Sequence, residues 1–144
     1  MDAEAVTRLR RVIGRLARLF NASSASEDLT PTQASVLGLV AHRGPIGLAE
    51  LTELEGLNPT MVSRVVSKLD AEGLVRRLPH PADQRAVQLE ATDDGRQTHA
   101  RIIDARTRTV ASILDGLSPD ASAALEKALP ALEALAEGLR TTRR

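Results

Sequence analysis

The sequence contains no cysteine, tryptophan or tyrosine, and Phe20 is its one aromatic residue apart from three histidines. Lack of cysteine excludes disulfides, thiolate zinc sites and thiol redox sensing. Scarcity of aromatics means that the core must be built from Leu, Val, Ile and Ala, and that stacking platforms for single-stranded nucleic acid are missing. A surplus of charge is lacking too: 19 Lys and Arg balance 19 Asp and Glu, so any basic footprint for a polyanion has to be local. The longest aliphatic run, residues 36–41, falls far short of the roughly 20 apolar residues that a membrane span needs. Arg8, Arg10, Arg11, Arg15 and Arg18 interrupt the N-terminal region, which leaves no apolar leader core. The expectation is a soluble, cytoplasmic chain without a membrane partner.

What is present fits a folded protein. The 144 residues are 42% hydrophobic and 26% charged, too apolar and too neutral for a disordered chain. A chain of this length buries roughly 70% of its unfolded surface and makes one domain, or one module with appendages.

Proline and glycine divide the sequence. Val6, Leu9, Val12, Ile13, Leu16, Leu19 and Phe20 recur at steps of three and four, which predicts an amphipathic helix over 3–21. A polar linker follows over 21–26. Thr30, Pro31 and Gln33 have the spacing of an N-cap, a first-turn proline and a capping box. They open a second helix that ends before Arg43, Gly44 and Pro45. A short third helix fits 48–54, with Gly56 as a left-handed stop. Asn58 and Pro59 repeat the cap-and-proline signature and start a fourth helix through Glu72, ended by Gly73. The period then changes to that of short strands over 74–78 and 86–89, joined by a proline-stiffened tip, 79–85. Thr92, Asp93 and Asp94 cap a fifth helix, and Ser118 with Pro119 a sixth. Pro130 falls inside the sixth and is expected to kink or split it. The predicted fold is mainly α with a small β-hairpin wing: a winged helix-turn-helix with dimerisation helices at both ends. Its parts are 1–28, an N-terminal dimerisation helix and linker; 29–95, a DNA-binding lobe; and 96–144, C-terminal dimerisation helices.

The fourth helix carries the chemistry. Val62, Val65, Val66 and Leu69 form an inward stripe, while Thr60, Ser63, Arg64, Ser67 and Lys68 share the other side. Arg can grip guanine O6 and N7 together, and Ser or Thr can donate to bases or phosphates. Asn58 and Pro59 are expected to leave first-turn N–H groups for a phosphate. An ordinary solvated face is the alternative, and local charge argues against it. Residues 58–89 hold Arg64, Lys68, Arg76, Arg77 and Arg85 against Asp70, Glu72 and Asp83, net +2, whereas residues 29–57 hold Arg43 against Glu50, Glu53 and Glu55, net −2.

The run from Leu57 to Arg77, then Asp83 and Arg85, then Leu89, Thr92 and Gly95, resembles the multiple-antibiotic-resistance-regulator (MarR) family. The likeness covers residues 29–95 closely and the flanking helices by layout. It implies a homodimeric transcription factor, usually a repressor, whose recognition helix enters the major groove while a wing arginine reaches the minor groove. Thr60, Ser63, Arg64 and Lys68 then become groove and phosphate contacts, and Arg85 the wing-tip finger, with Asp83 orienting Arg85 or a neighbouring arginine through a charge-assisted hydrogen bond. With Asn58, Pro59, Arg77 and His80, these make up the expected DNA-binding set. A narrow minor groove attracts arginine in any case, and Pro79 and Pro81 lower the cost of ordering the tip.

One lobe cannot cover the apolar stripes of the first, fifth and sixth helices. Leu9, Val12, Ile13, Leu16, Ile113, Leu117, Leu125, Leu132, Leu135 and Leu139 are therefore expected at a homodimer interface, and two-fold symmetry would match a pseudo-palindromic double-stranded operator. The resemblance also implies a small-molecule effector that releases DNA, for which Arg15, Phe20, Val36, Val40 and His42 are the candidate cleft residues. His42, His80 and His99 stand apart in sequence, with no helical metal-ligand spacing, so no metal and no cofactor are expected. His99 is expected in solvent and His80 on the wing. There is no phosphate loop and no nucleophile elbow, which points to a binding protein and not an enzyme. The remaining alternative is a helical protein-interaction or ligand-carrier module that keeps a winged-helix shape.

Overall fold

The computed structural model describes residues 1–22, 29–83 and 85–142; most of the expected 21–26 linker lies outside them. Two compact units follow one another, Met1–Arg106 and Thr107–Arg144. The first contains α1 (Ala3–Ala22), α2 (Pro31–Arg43), β1 (Ile46–Gly47), α3 (Leu48–Glu55), α4 (Pro59–Ala71), β2 (Val75–Pro79), β3 (Val87–Ala91) and the start of α5 (Asp93–Leu114). The second contains the end of α5 and α6 (Pro119–Thr142).

Local chemistry sets most of the boundaries. Thr30 caps α2 through a complete capping box: its Oγ1 accepts from Gln33 N at 3.2 Å, and its own N donates to Gln33 Oε1 at 2.9 Å. Gly56 ends α3 in the left-handed region, φ 66°, where a side chain would be strained. Ser118 Oγ accepts from Ala121 N at 3.3 Å at the start of α6.

The sheet is antiparallel in the order β1-β3-β2. It has one strand more than the expected hairpin, because Ile46 and Gly47 pair with Leu89 and Gln88. Two residues have no periodicity of their own; the open edge of β3 makes them a strand. Against the sheet pack Val36, Leu37 and Val40 from α2, Leu51 from α3, and Val62, Val66 and Leu69 from α4, all buried with Ile46, Val75 and Leu89. This core is wholly aliphatic, as the lack of aromatics required.

Thr92 fastens the start of α5 to the lobe. Thr92 N donates to Leu74 O at 3.1 Å, Thr92 Oγ1 donates to Gly73 O at 2.6 Å, and the same oxygen accepts from Gly95 N at 3.0 Å. So close is the approach that a Cβ at Gly95 would stand 1.9 Å from Leu74 O, which only glycine permits.

In the second unit, Pro130 does not split α6, which runs unbroken over Pro119–Thr142. Proline removes one donor from the ladder, and the hydrogen bonds on either side carry the helix past it. Ile113, Leu117, Leu125, Leu129, Leu135 and Leu139 are exposed there. No helix among the described residues is long and apolar enough to cross a membrane.

Candidate nucleic-acid interface

α4 presents the site. Asn58, extended at the N-cap, accepts the N–H of Met61 on Oδ1 at 2.8 Å, and Pro59 has no N–H to offer. The expectation that this turn keeps its N–H groups open for a phosphate is thus partly corrected: Asn58 has already taken one. Its inward side holds Val62, Val65, Val66 and Leu69 in the core. Thr60, Ser63, Arg64 and Ser67 point the other way and, with Leu48 and Pro59, line a shallow concavity of about 500 Å³. The step i, i+3, i+4, i+7 puts these four in one row. Arg64 enters no ion pair among the described residues, whereas exposed Lys68 leans 3.7 Å from Glu72 Oε1. A pair so exposed is worth little and leaves Lys68 able to turn to a phosphate.

The wing is the β2–β3 hairpin. Arg76 Nε donates to Glu90 Oε2 at 2.7 Å, across a direct register pair. Its tip is held by its own hydrogen bonds: His80 N to Ala86 O at 3.0 Å and Ala86 N to Asp83 O at 3.1 Å, with His80 Nδ1 accepting from Ala82 N at 3.1 Å. Asp83 does not orient the Arg85 guanidinium as expected. Its Oδ1 accepts from the Arg85 backbone N at 3.0 Å, so it shapes the turn and leaves the exposed Arg85 side chain to reach outward.

Arg77, also in the expected DNA-binding set, is engaged within the lobe. Its Nε lies 3.3 Å from Asp70 Oδ2 and its Nη2 donates to Ser67 Oγ at 3.2 Å. It ties the base of the wing to the recognition helix. Ser67 shares the outward face of α4 in the sequence pattern and lines the concavity in the structure; its contact with Arg77 is what the sequence did not announce.

Two of the effector candidates lie inside the lobe. Val36 and Val40 are 0% and 1% exposed; they belong to the core of the lobe and offer a ligand no surface. Arg15 is exposed and Phe20 half-buried on α1, whereas His42 lies on α2. His42 and His99, read as separate from the sequence, meet: their Nε2 atoms are 3.3 Å apart and the rings stand edge to face at 89°. His99 is therefore not a solvated position. Burial lowers its pKa, and His42 and Arg106 act in the same direction. Among the described residues, no group of three or more His, Asp or Glu could hold a metal ion.

The dimerisation candidates on α1 are exposed or half-buried: Val12 is 48% and Leu16 45% exposed, with Leu9 and Ile13 partly covered.

Comparison with known proteins places this geometry. The MarR family model matches residues 29–87, from the end of the linker to the wing. The HTH-type transcriptional regulator YkoM of Bacillus subtilis is 29% identical over 123 residues, 83% of this chain and 80% of that protein. The crystal structure of RV1404 from Mycobacterium tuberculosis superposes with a TM-score of 0.82 at 28% identity, over 95% of both chains. The PcaV transcriptional regulator from Streptomyces coelicolor, solved in complex with its natural ligand, gives 0.61 at 26% identity, over 89% of this chain and 91% of that one. A winged helix with an outward hydroxyl-and-arginine row, matched by the family model over residues 29–87, makes this chain a member of the MarR family of transcriptional regulators.

Proposed function

We propose that two copies of this chain bind a pseudo-palindromic operator in double-stranded DNA, acting in the cytoplasm as a repressor and not as an enzyme. The observation that carries this reading is the row Thr60, Ser63, Arg64 and Ser67, which faces outward over an open concavity while the opposite side of α4 is sealed in the core. Arg64 supplies the fork that fits guanine, Lys68 a backbone charge, and Arg85, on its pre-shaped turn, a finger for the adjacent minor groove. A dimer placing two such helices one turn apart covers both half-sites, about 10 bp centre to centre. A clamp of that span hinders polymerase.

Release by a small molecule would work through the spacing of the two lobes. A ligand that prefers a lobe spacing unlike that of successive grooves lowers operator affinity by its differential affinity for the two states. PcaV, solved with its natural ligand, supports a ligand of this kind for the present chain. With Val36 and Val40 in the core, Arg15, Phe20 and His42 remain as candidate contacts.

Binding-site selection from randomised duplexes tests the reading. The expected product is a two-fold motif with half-sites about 10 bp apart. On that duplex, Arg85→Ala weakens binding about 10-fold while its thermal melt stays that of the wild type. Log K should also fall steeply with log salt as phosphates displace counterions. A flat salt dependence with no selected motif would turn the assignment toward a protein-interaction module.

A further inference from the structure

Ser67 stands at the far end of the outward row, six residues past the first turn's Met61, and lines the same concavity as Thr60, Ser63 and Arg64. A serine hydroxyl ordinarily rotates to suit whatever approaches, donating or accepting. Here one neighbour restricts it. Arg77 reaches from β2 so that Nη2 donates to Ser67 Oγ at 3.2 Å while Nε meets Asp70 Oδ2 at 3.3 Å. Guanidinium has five donors, no acceptor, and no accessible neutral form. Towards Arg77, therefore, Ser67 can only accept, and its proton is directed elsewhere. The Asp70 carboxylate, one helical turn further on, gives the planar fork a second contact, so that Arg77 gives up both together when it turns away.

We infer that Ser67 is a specificity-determining residue whose hydroxyl donates to an acceptor on a base edge, with Arg77, anchored by Asp70, as the positioning residue that sets this polarity. In the major groove, guanine offers N7 and O6, adenine N7, and thymine O4, whereas cytosine offers only its N4 donor. The contacted strand should consequently reject cytosine at one position in each half-site. This inference rests on the DNA-binding reading and adds to it a named base preference and a polarity relay.

The test repeats the randomised-duplex selection with wild type, Ser67→Ala, Arg77→Met and Asp70→Asn. Loss of one hydrogen bond predicts that Ser67→Ala binds the wild-type motif about 3- to 10-fold more weakly and accepts cytosine at the position that excluded it. Arg77→Met relaxes that same position, and the double variant is no weaker than the worse single one, because the two residues act in series. Asp70→Asn relaxes the position partially. The slope of log K against log salt for Arg77→Met equals that of wild type, since Arg77 holds no phosphate. A slope shallower by about one charge per chain would make Arg77 a phosphate contact and overturn the relay. An unchanged motif with Ser67→Ala would overturn the base contact. Failure of the wild type to select any motif would be a different result, sinking the DNA reading itself.

Discussion

At residue scale, His99 has the least ordinary surroundings. Its ring lies against Gly38, where a Cβ would come within 3.0 Å of Cε1, and its Nδ1 is buried with no hydrogen-bond partner among the described residues. A proton on Nδ1 would be a buried donor without an acceptor, which is costly. The favoured tautomer therefore leaves Nδ1 bare and uses Nε2–H to donate to His42 Nε2, 3.3 Å away. Charging His99 requires the second proton, and burial opposes it first, then His42 from α2 and Arg106 from α5. The folded pKa is thus lowered below the ordinary 6.5, so the unfolded chain takes up the proton first as pH falls. The sign follows: stability contributed by neutral His99 is complete above the unfolded value and is lost as pH drops below it toward the folded one. Thermal melts should show a lower Tm at pH 5.5 than at pH 7.5, with a smaller drop in His99→Gln. Equal drops in the two proteins would remove His99 from the account. Nothing in the spacing of the sequence announced this pair, because 57 residues separate its members and only packing brings them together.

At the scale of elements, capping was the most legible feature. Thr30, Asn58, Thr92 and Ser118 each hold a first-turn N–H as their sequence context predicts, because a cap needs only residues within three positions of itself. The inward stripe of α4 was equally legible, since the 3.6-residue period is written into the sequence. Features that depend on a remote partner were not. β1 exists because β3 has an open edge, Arg77 binds α4 because the hairpin folds back beneath it, and Val36 and Val40 could be read as apolar but not as core. At Pro130 the local rule of a split helix gives way to the length of α6, which continues past it. For the recognition helix, the local rule gives a quantity: Asn58→Ala removes the acceptor of Met61 N and should cost about 1 kcal/mol in urea unfolding. Operator affinity should fall with it, because Thr60 sits on the turn that frays. Asn58→Asp keeps the acceptor and should retain stability; a loss as large as that of alanine would mean that Asn58 acts by something other than its cap.

Across the whole molecule, apolar surface is the unresolved demand of a single chain. On α1, Val6, Val12, Leu16 and Leu19 are 45–56% exposed; in the second unit, Ile113, Leu125, Leu129 and Leu139 are 44–59% exposed. Scattered exposed leucines are unremarkable, but rows of them at helical spacing are not. Covering a side chain that is already half-buried contributes roughly 0.7–1.5 kcal/mol, and a two-fold interface counts each position twice, so covering all eight on both copies is enough to offset the entropic cost of association. A second copy is the occupant that the proposed two-fold operator would require, and it would link assembly to recognition: one recognition helix alone reads too few bases to hold a site. Sedimentation should therefore give the mass of two chains at micromolar concentration. Leu16→Glu combined with Leu139→Glu places a carboxylate in each apolar row, and burying those charges unpaired is expensive. The variant should sediment as one chain and bind the selected duplex at least 10-fold more weakly, although Arg64, Ser67 and Arg85 are untouched. A one-chain species with undiminished operator affinity would show that the lobe reads DNA by itself, and the exposed rows would then need a different partner.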